Sequence, residues 1–104
     1  MKITVVVPTY RRPQDLARCL AALKKQIRPV DELWIIVRDT DEETWKFLQD
    51  FEMEFLPLRT ATVTVSGVIA AMNIGLDSAT GDIIAFTDDD AAPHPDWLEK
   101  IEAY

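Results

Sequence analysis

The chain has 104 residues, 48% of them hydrophobic, with 18 acidic against 11 basic side chains and a net charge of −7. That length supports one domain with a packed core, and the acidic balance argues against nucleic acid, whose phosphates need clustered Lys and Arg. A single cysteine, Cys19, excludes an intrachain disulfide and a zinc cluster, so a reducing, cytoplasmic location is expected.

The apolar segment after Met1-Lys2 stops at Pro8, too short for a signal-peptide core or a membrane span. Direct membrane insertion is therefore not expected of this segment, and any membrane association would belong to a longer parent chain. Ile3 to Val7 is a β-branched run that reads as a first strand, ended by Pro8, which cannot donate to a ladder. Pro13 suits a first helical turn, and Leu16, Ala17, Cys19, Leu20, Leu23 and Ile27 recur at helical spacing, which predicts a helix over 13–26. Lys24, Lys25 and Arg28 fall where they would complement its carboxyl end, and Cys19 reads as a small core residue.

Glu32 to Val37 predicts a second buried strand, followed at once by polar Arg38-Asp39-Thr40-Asp41. Asp41 or Thr40 can cap a short helix over 42–50, with Trp45, Leu48 and Phe51 inward; at that spacing Trp45 reads as core rather than as a platform for a base. A third strand is expected over Glu54 to Leu58, its Pro57 suiting an edge. Thr62 to Val65 alternates like a strand but fits an extended approach to the next helix equally well. Ser66 is the expected N-cap of that helix, Val68, Ile69, Met72, Leu76 and Ala79 its apolar stripe, and Gly81 its stop. Ile83 to Phe86 is a fourth buried strand. Ala91 to Pro95 is a loop containing His94, and Asp96 caps a last helix over 97–104.

Strands alternating with helices predict an α/β sheet with right-handed crossovers, and such sheets bind ligands outside the carboxyl ends of their strands. The polar groups lie at those ends: Pro8-Thr9-Tyr10-Arg11, Arg38-Asp39-Thr40-Asp41, and the consecutive carboxylates Asp88, Asp89 and Asp90. Three adjacent carboxylates repel one another and gain from a bound cation or a cationic partner. Alone, the triplet is equally a solvated acidic turn; its coincidence with two other polar strand ends points to a site.

With these segments in place, the chain resembles the nucleotide-binding half of family 2 inverting glycosyltransferases of the GT-A fold. The matching pieces are 5–12, 36–41, the Met72-Asn73-Ile74-Gly75-Leu76 segment, and 79–90 with its acidic triplet. The resemblance spans the whole chain, residues 1–104, and its specificity lies in the ordered set. It implies a Rossmann-like, open, mainly parallel sheet of order 3-2-1-4 flanked by helices. It further implies that Pro8, Thr9, Tyr10 and Arg11 shape a pocket for base and ribose, that Asp39 accepts a hydrogen bond from the base, and that Asn73 contacts the nucleotide. Asp88 to Asp90 resemble the D-x-D element, with Asp88 and Asp89 on the nucleotide side and Asp90, with Asp88, on Mg²⁺ or Mn²⁺. Oxygen ligands and substrate phosphates suit those ions.

Met72 stands where the family often has Arg, and Arg38 where it is often acidic. The family's acceptor pocket and candidate base carboxylate follow later than the segments matched here, so the base is not expected in this chain. The reading is a donor domain that binds a nucleotide-diphosphate sugar, UDP-sugar favoured, for transfer to a saccharide or lipid acceptor. Alternatives are a non-catalytic nucleotide-binding module and a purely structural or oligomerising fragment. Order 3-2-1-4 leaves the fourth strand at an edge, so a homodimer through 83–87 or the last helix is an expected partner arrangement.

Overall fold

A computed structural model describes residues 1–51 and 56–103. The elements in chain order are β1 (Ile3–Thr9), α1 (Pro13–Lys24), β2 (Glu32–Arg38), α2 (Glu42–Asp50), β3 (Leu58–Val63), α3 (Val68–Ser78), β4 (Ile83–Phe86) and α4 (Trp97–Ala103). The four strands form one parallel sheet of order β3-β2-β1-β4. β1 pairs with β2 from Thr4↔Glu32 to Thr9↔Val37 and with β4 from Ile3↔Ile83 to Val6↔Phe86.

The strand residues divide by period two into two cores. Ile3, Val5, Val7, Leu33, Ile35 and Val37 face one layer, where Leu16, Leu20 and Leu23 of α1, Leu48 of α2 and Leu98 of α4 cover them. Val6, Ile36 and Val63 face the opposite side and meet Ala71 and Ile74 of α3. Cys19 is buried in the first core and Trp45 packs against it, its Nε1 donating to the Arg38 carbonyl at 3.0 Å. Both therefore take the core role expected of them. Among the described residues no helix is long and apolar enough to cross a membrane.

Four local expectations are corrected. The third strand is Leu58–Val63, not the segment around Glu54 to Leu58. Glu54 and Phe55 lie outside the described residues, while Leu56 is a buried core residue ahead of the strand. As an edge strand covered on one face, β3 buries Val63, half-buries Ala61 and leaves Arg59, Thr60 and Thr62 exposed. A mixed Thr-rich pattern of that kind satisfies an edge and no central position.

Second, α3 is capped by Gly67 at φ 110°, not by Ser66, and ends at Ser78 before Gly81. Third, its inner face is Ala71 and Gly75, with Ala70 and Ile74, whereas Val68, Ile69 and Leu76 are exposed. Small residues let this helix approach the sheet closely: a Cβ on Gly75 would lie 2.4 Å from Cγ1 of the buried Val6. Fourth, Ile27 is exposed rather than part of the α1 stripe, and Arg28 does not serve the α1 terminus. Its Nε donates to Glu102 and its Nη1 to Asp31, both at 2.7 Å, tying the strand entry to α4.

The amino ends of the strands are joined by a buried polar network. Glu32 accepts hydrogen bonds from Thr4 Oγ1, Thr80 N and Thr80 Oγ1, each at 2.9 Å, and the Thr4 hydroxyl accepts from Gly81 N at 2.9 Å. At the carboxyl ends, by contrast, Asp88 and Asp90 are exposed.

Candidate functional site

At the carboxyl ends of β1, β2 and β3 lies a cleft of about 550 Å³, walled on one side by the amino end of α3 and on the other by the acidic turn after β4. Of the residues expected at the site, Pro8, Thr9, Tyr10, Asp88, Asp89 and Asp90 line it. Arg11, Asp39 and Asn73 lie outside that lining. Arg12 and Arg38, which fall in the polar strand-end segments without an expected role, complete it together with Val63, Val65, Ser66, Gly67, Val68 and Ala71, which were not expected at the site.

The last ladder bond before the triplet is Thr87 N to Val6 O at 3.2 Å, and Ala91 N donates to Asp88 O at 3.1 Å, so Asp88 to Asp90 sit on a turn. Successive residues there face different surroundings. Asp89 is 6% exposed and its Oδ2 accepts from Thr9 Oγ1 at 2.9 Å, whereas Asp88 and Asp90 are exposed. Burial raises the Asp89 pKa, opposed by the Thr9 hydrogen bond and by the Arg12 guanidinium. The Arg12 Nη1 stands 3.6 Å from Asp89 Oδ1 and 3.9 Å from Asp90 Oδ2. Cys19 lies within the field of the cluster: burial, then Asp89, Asp90 and Asp88, push its thiol up to about 12, which keeps it neutral and unreactive.

The loop after β1 is set by a buried carboxylate. Asp41 caps α2 by accepting from Thr44 N at 3.2 Å and Thr44 Oγ1 at 2.6 Å, and it also accepts from Arg11 N at 2.7 Å. Arg11 adopts a left-handed φ of 52°, and its guanidinium lies 5.2 Å from the Tyr10 ring centroid. That turn leaves Arg12 to line the cleft. Asp41→Ala is expected to lose about 2 kcal/mol of stability, because a helix cap and a loop anchor go together. A urea midpoint equal to wild type would refute this.

Asp39 holds the rim, its N–H donating to Val63 O at 3.0 Å and its carboxylate 3.6 Å from Arg38 Nε. Among the described residues, Arg38 Nε is buried and makes no hydrogen bond beyond this ion pair. Period-two alternation from Trp34 and Ile36 places Arg38 on the α3 face, a signal that the sequence did carry. Asn73 is exposed on α3, and His94 is an exposed loop residue whose Nδ1 lies 2.7 Å from Asp96 Oδ1.

Among the described residues no three His, Cys, Asp or Glu side chains converge as a closed metal cage. The exposed oxygens of Asp88 and Asp90 fit the other arrangement, an open site in which one or two carboxylates share a hard cation with phosphate oxygens. The Arg38 guanidinium also lines the cleft, and its N–H groups suit an anionic or carbonyl-bearing ligand.

Residues 4–104 match the family model for glycosyl transferase family 2. Among curated relatives, glycosyltransferase AglE of Haloferax volcanii is 29% identical over 94% of this chain and 33% of its own. Among solved structures, TarS 1-349 of S. aureus in complex with UDP-GlcNAc superposes with a TM-score of 0.79 at 25% identity, over 99% of this chain and 30% of that one. The mannosyltransferase PcManGT of Pyrobaculum calidifontis in complex with GDP-Man and Mn²⁺ gives 0.77 at 30% identity, over 93% and 32%. The chain thus spans about one third of the length of these proteins. Its sheet order and helix layers are those of the GT-A glycosyltransferases it superposes on. With the model matching nearly end to end, the chain belongs to glycosyl transferase family 2.

Proposed function

We propose that this chain is the donor-binding part of a sugar transferase. It grips a nucleoside diphosphate sugar, UDP-sugar favoured, through a divalent cation at Asp90 and Asp88, for transfer to a saccharide or lipid acceptor. The observation that carries the reading is the cleft at the strand carboxyl ends, with exposed Asp88 and Asp90 beside a buried, Thr9-bonded Asp89 on one wall and the Arg38 guanidinium also in the lining. The complexes of TarS with UDP-GlcNAc and of PcManGT with GDP-Man and Mn²⁺ support a nucleotide-sugar ligand and a divalent ion.

Within this reading each residue has a physical task. Thr9 fixes Asp89, whose carboxylate then faces the ribose side of the cleft rather than the metal. Asp90 and Asp88 supply oxygen ligands, and a bound Mg²⁺ or Mn²⁺ would stabilise charge on the leaving diphosphate. Arg38 donates to the nucleotide from the cleft lining. Tyr10 and Pro8 give the cleft apolar surface for a base, with Asp39 at its rim. Attack on the sugar requires a base for the acceptor hydroxyl, which this reading assigns to no residue of the chain. Binding is therefore its testable property, and turnover by these 104 residues alone is not expected.

Calorimetric titration of UDP, with and without Mn²⁺, on the wild type and on Asp90→Ala tests the proposal. Heat of binding is expected only with Mn²⁺, and the substitution is expected to weaken it at least about a hundredfold, as for loss of a metal ligand. Asp90 is exposed, so the variant should melt like the wild type. Absence of UDP binding in the presence of Mn²⁺ would sink the donor reading.

A further inference from the structure

We propose that Arg12 is the resident counter-ion of the Asp88–Asp90 cluster and that it holds down the cluster's affinity for a divalent cation until a nucleoside diphosphate draws the guanidinium away. The inference deepens the donor-site reading and rests on it. Two of the three consecutive carboxylates face one guanidinium, with Nη1 3.6 Å from Asp89 Oδ1 and 3.9 Å from Asp90 Oδ2. Neither distance is that of a formed hydrogen bond, so the pairing is Coulombic and not a locked fork. The Arg12 side chain is 56% exposed, while its backbone is fixed, the carbonyl accepting from Leu16 N at 2.9 Å at the start of α1. The head can therefore leave without disturbing the loop.

Arg12 shares Asp90 with the cation assigned there. A guanidinium and a divalent ion within a few ångströms of the same carboxylate repel, so each lowers the other's occupancy. A diphosphate changes that balance because its oxygens accept the planar guanidinium fork and take it off the carboxylates. Metal and nucleotide then favour each other's binding through Arg12, and the coupling is reciprocal. A cation held away from an empty cleft is kept for the moment when the donor is present.

The test is Mn²⁺ alone, followed by electron paramagnetic resonance of the free ion, on the wild type, Arg12→Gln and Arg12→Lys, then repeated with UDP. Without nucleotide, Arg12→Gln should bind Mn²⁺ about tenfold more tightly than wild type, and Arg12→Lys, which keeps the charge, within about threefold of it. UDP should tighten Mn²⁺ binding in the wild type by a larger factor than in Arg12→Gln. Unchanged or weaker Mn²⁺ binding in Arg12→Gln overturns the proposal, as does tightening by Arg12→Lys equal to that by Arg12→Gln. An equal UDP effect in all three proteins overturns the release by diphosphate. The metal-alone arm reads Arg12 and the UDP arm reads the donor site. Failure of UDP to bind beside an intact Arg12 effect on Mn²⁺ would therefore fall on the donor reading and on the release step, and not on the counter-ion.

Discussion

Glu32→Ala is expected to lower the unfolding free energy by about 3 kcal/mol, measured by chemical denaturation near neutral pH. The carboxylate is buried and accepts from Thr4 Oγ1, Thr80 N and Thr80 Oγ1. Its removal leaves the O–H of the wholly buried Thr4 without its acceptor, although that oxygen still accepts from Gly81 N, and loosens the joint between β1, β2 and the entry to β4. Burial pushes the Glu32 pKa up, but the hydrogen bonds from Thr80 and Thr4 outweigh it and hold the group at about 2, below its ordinary 4.5. A carboxylate depressed in the folded state contributes stability that is fully present above the unfolded value and is lost as pH falls through the folded one. The gap between wild type and Glu32→Ala should thus be widest above pH 4.5 and close progressively toward pH 2. A gap of constant size across that window would show that the network does not depend on the charge.

Gly75→Leu should cost about 3 kcal/mol and also weaken any ligand of the cleft. Leucine is a better helix former than glycine, so the loss cannot come from helix propensity. It comes from the contact, since even a Cβ at this position would meet Cγ1 of Val6 at 2.4 Å and its Cβ at 3.3 Å. Val6 is a stiff, β-branched side chain in the central strand with no exposed surface, so α3 must lift instead. Lifting α3 moves Ala71 and Val68, which wall the cleft. Wild-type stability in this variant would mean that the helix does not sit as close to the sheet as described.

Much of this architecture was legible because three strands read as apolar runs: Ile3 to Val7 and Leu33 to Val37, which are buried on both faces, and Ile83 to Phe86, which at the sheet edge buries only Ala85 and half-buries Ile83, Ile84 and Phe86 instead of being the fully buried strand expected. β3 was not, since an edge strand with exposed threonines looks like a loop until its partner is known. The α3 stripe was misread for a related reason. Counting large apolar residues selects Val68, Ile69 and Leu76, yet the sheet selects the small ones, Ala71 and Gly75. Apolar periodicity finds the faces of a helix and does not say which of two apolar faces goes inside. The acidic triplet was conspicuous by composition, and the structure brings Thr9 to Asp89 across 80 positions of sequence. Arg12 escaped notice beside Arg11 because only the backbone turn at Arg11 separates their directions.

β1 has two neighbours along Thr4 to Val6, but at Pro8 and Thr9 it keeps only β2, because the β4 ladder has already ended. Global persistence therefore resides at one end of the strand, and the proposed donor site at the end with fewer bonds to lose. Sequence drift is partitioned accordingly. Substitutions at exposed cleft residues such as Asp88 and Asp90 are expected to leave the chain folded, and those at Glu32, Thr4 and Gly81 have no such freedom.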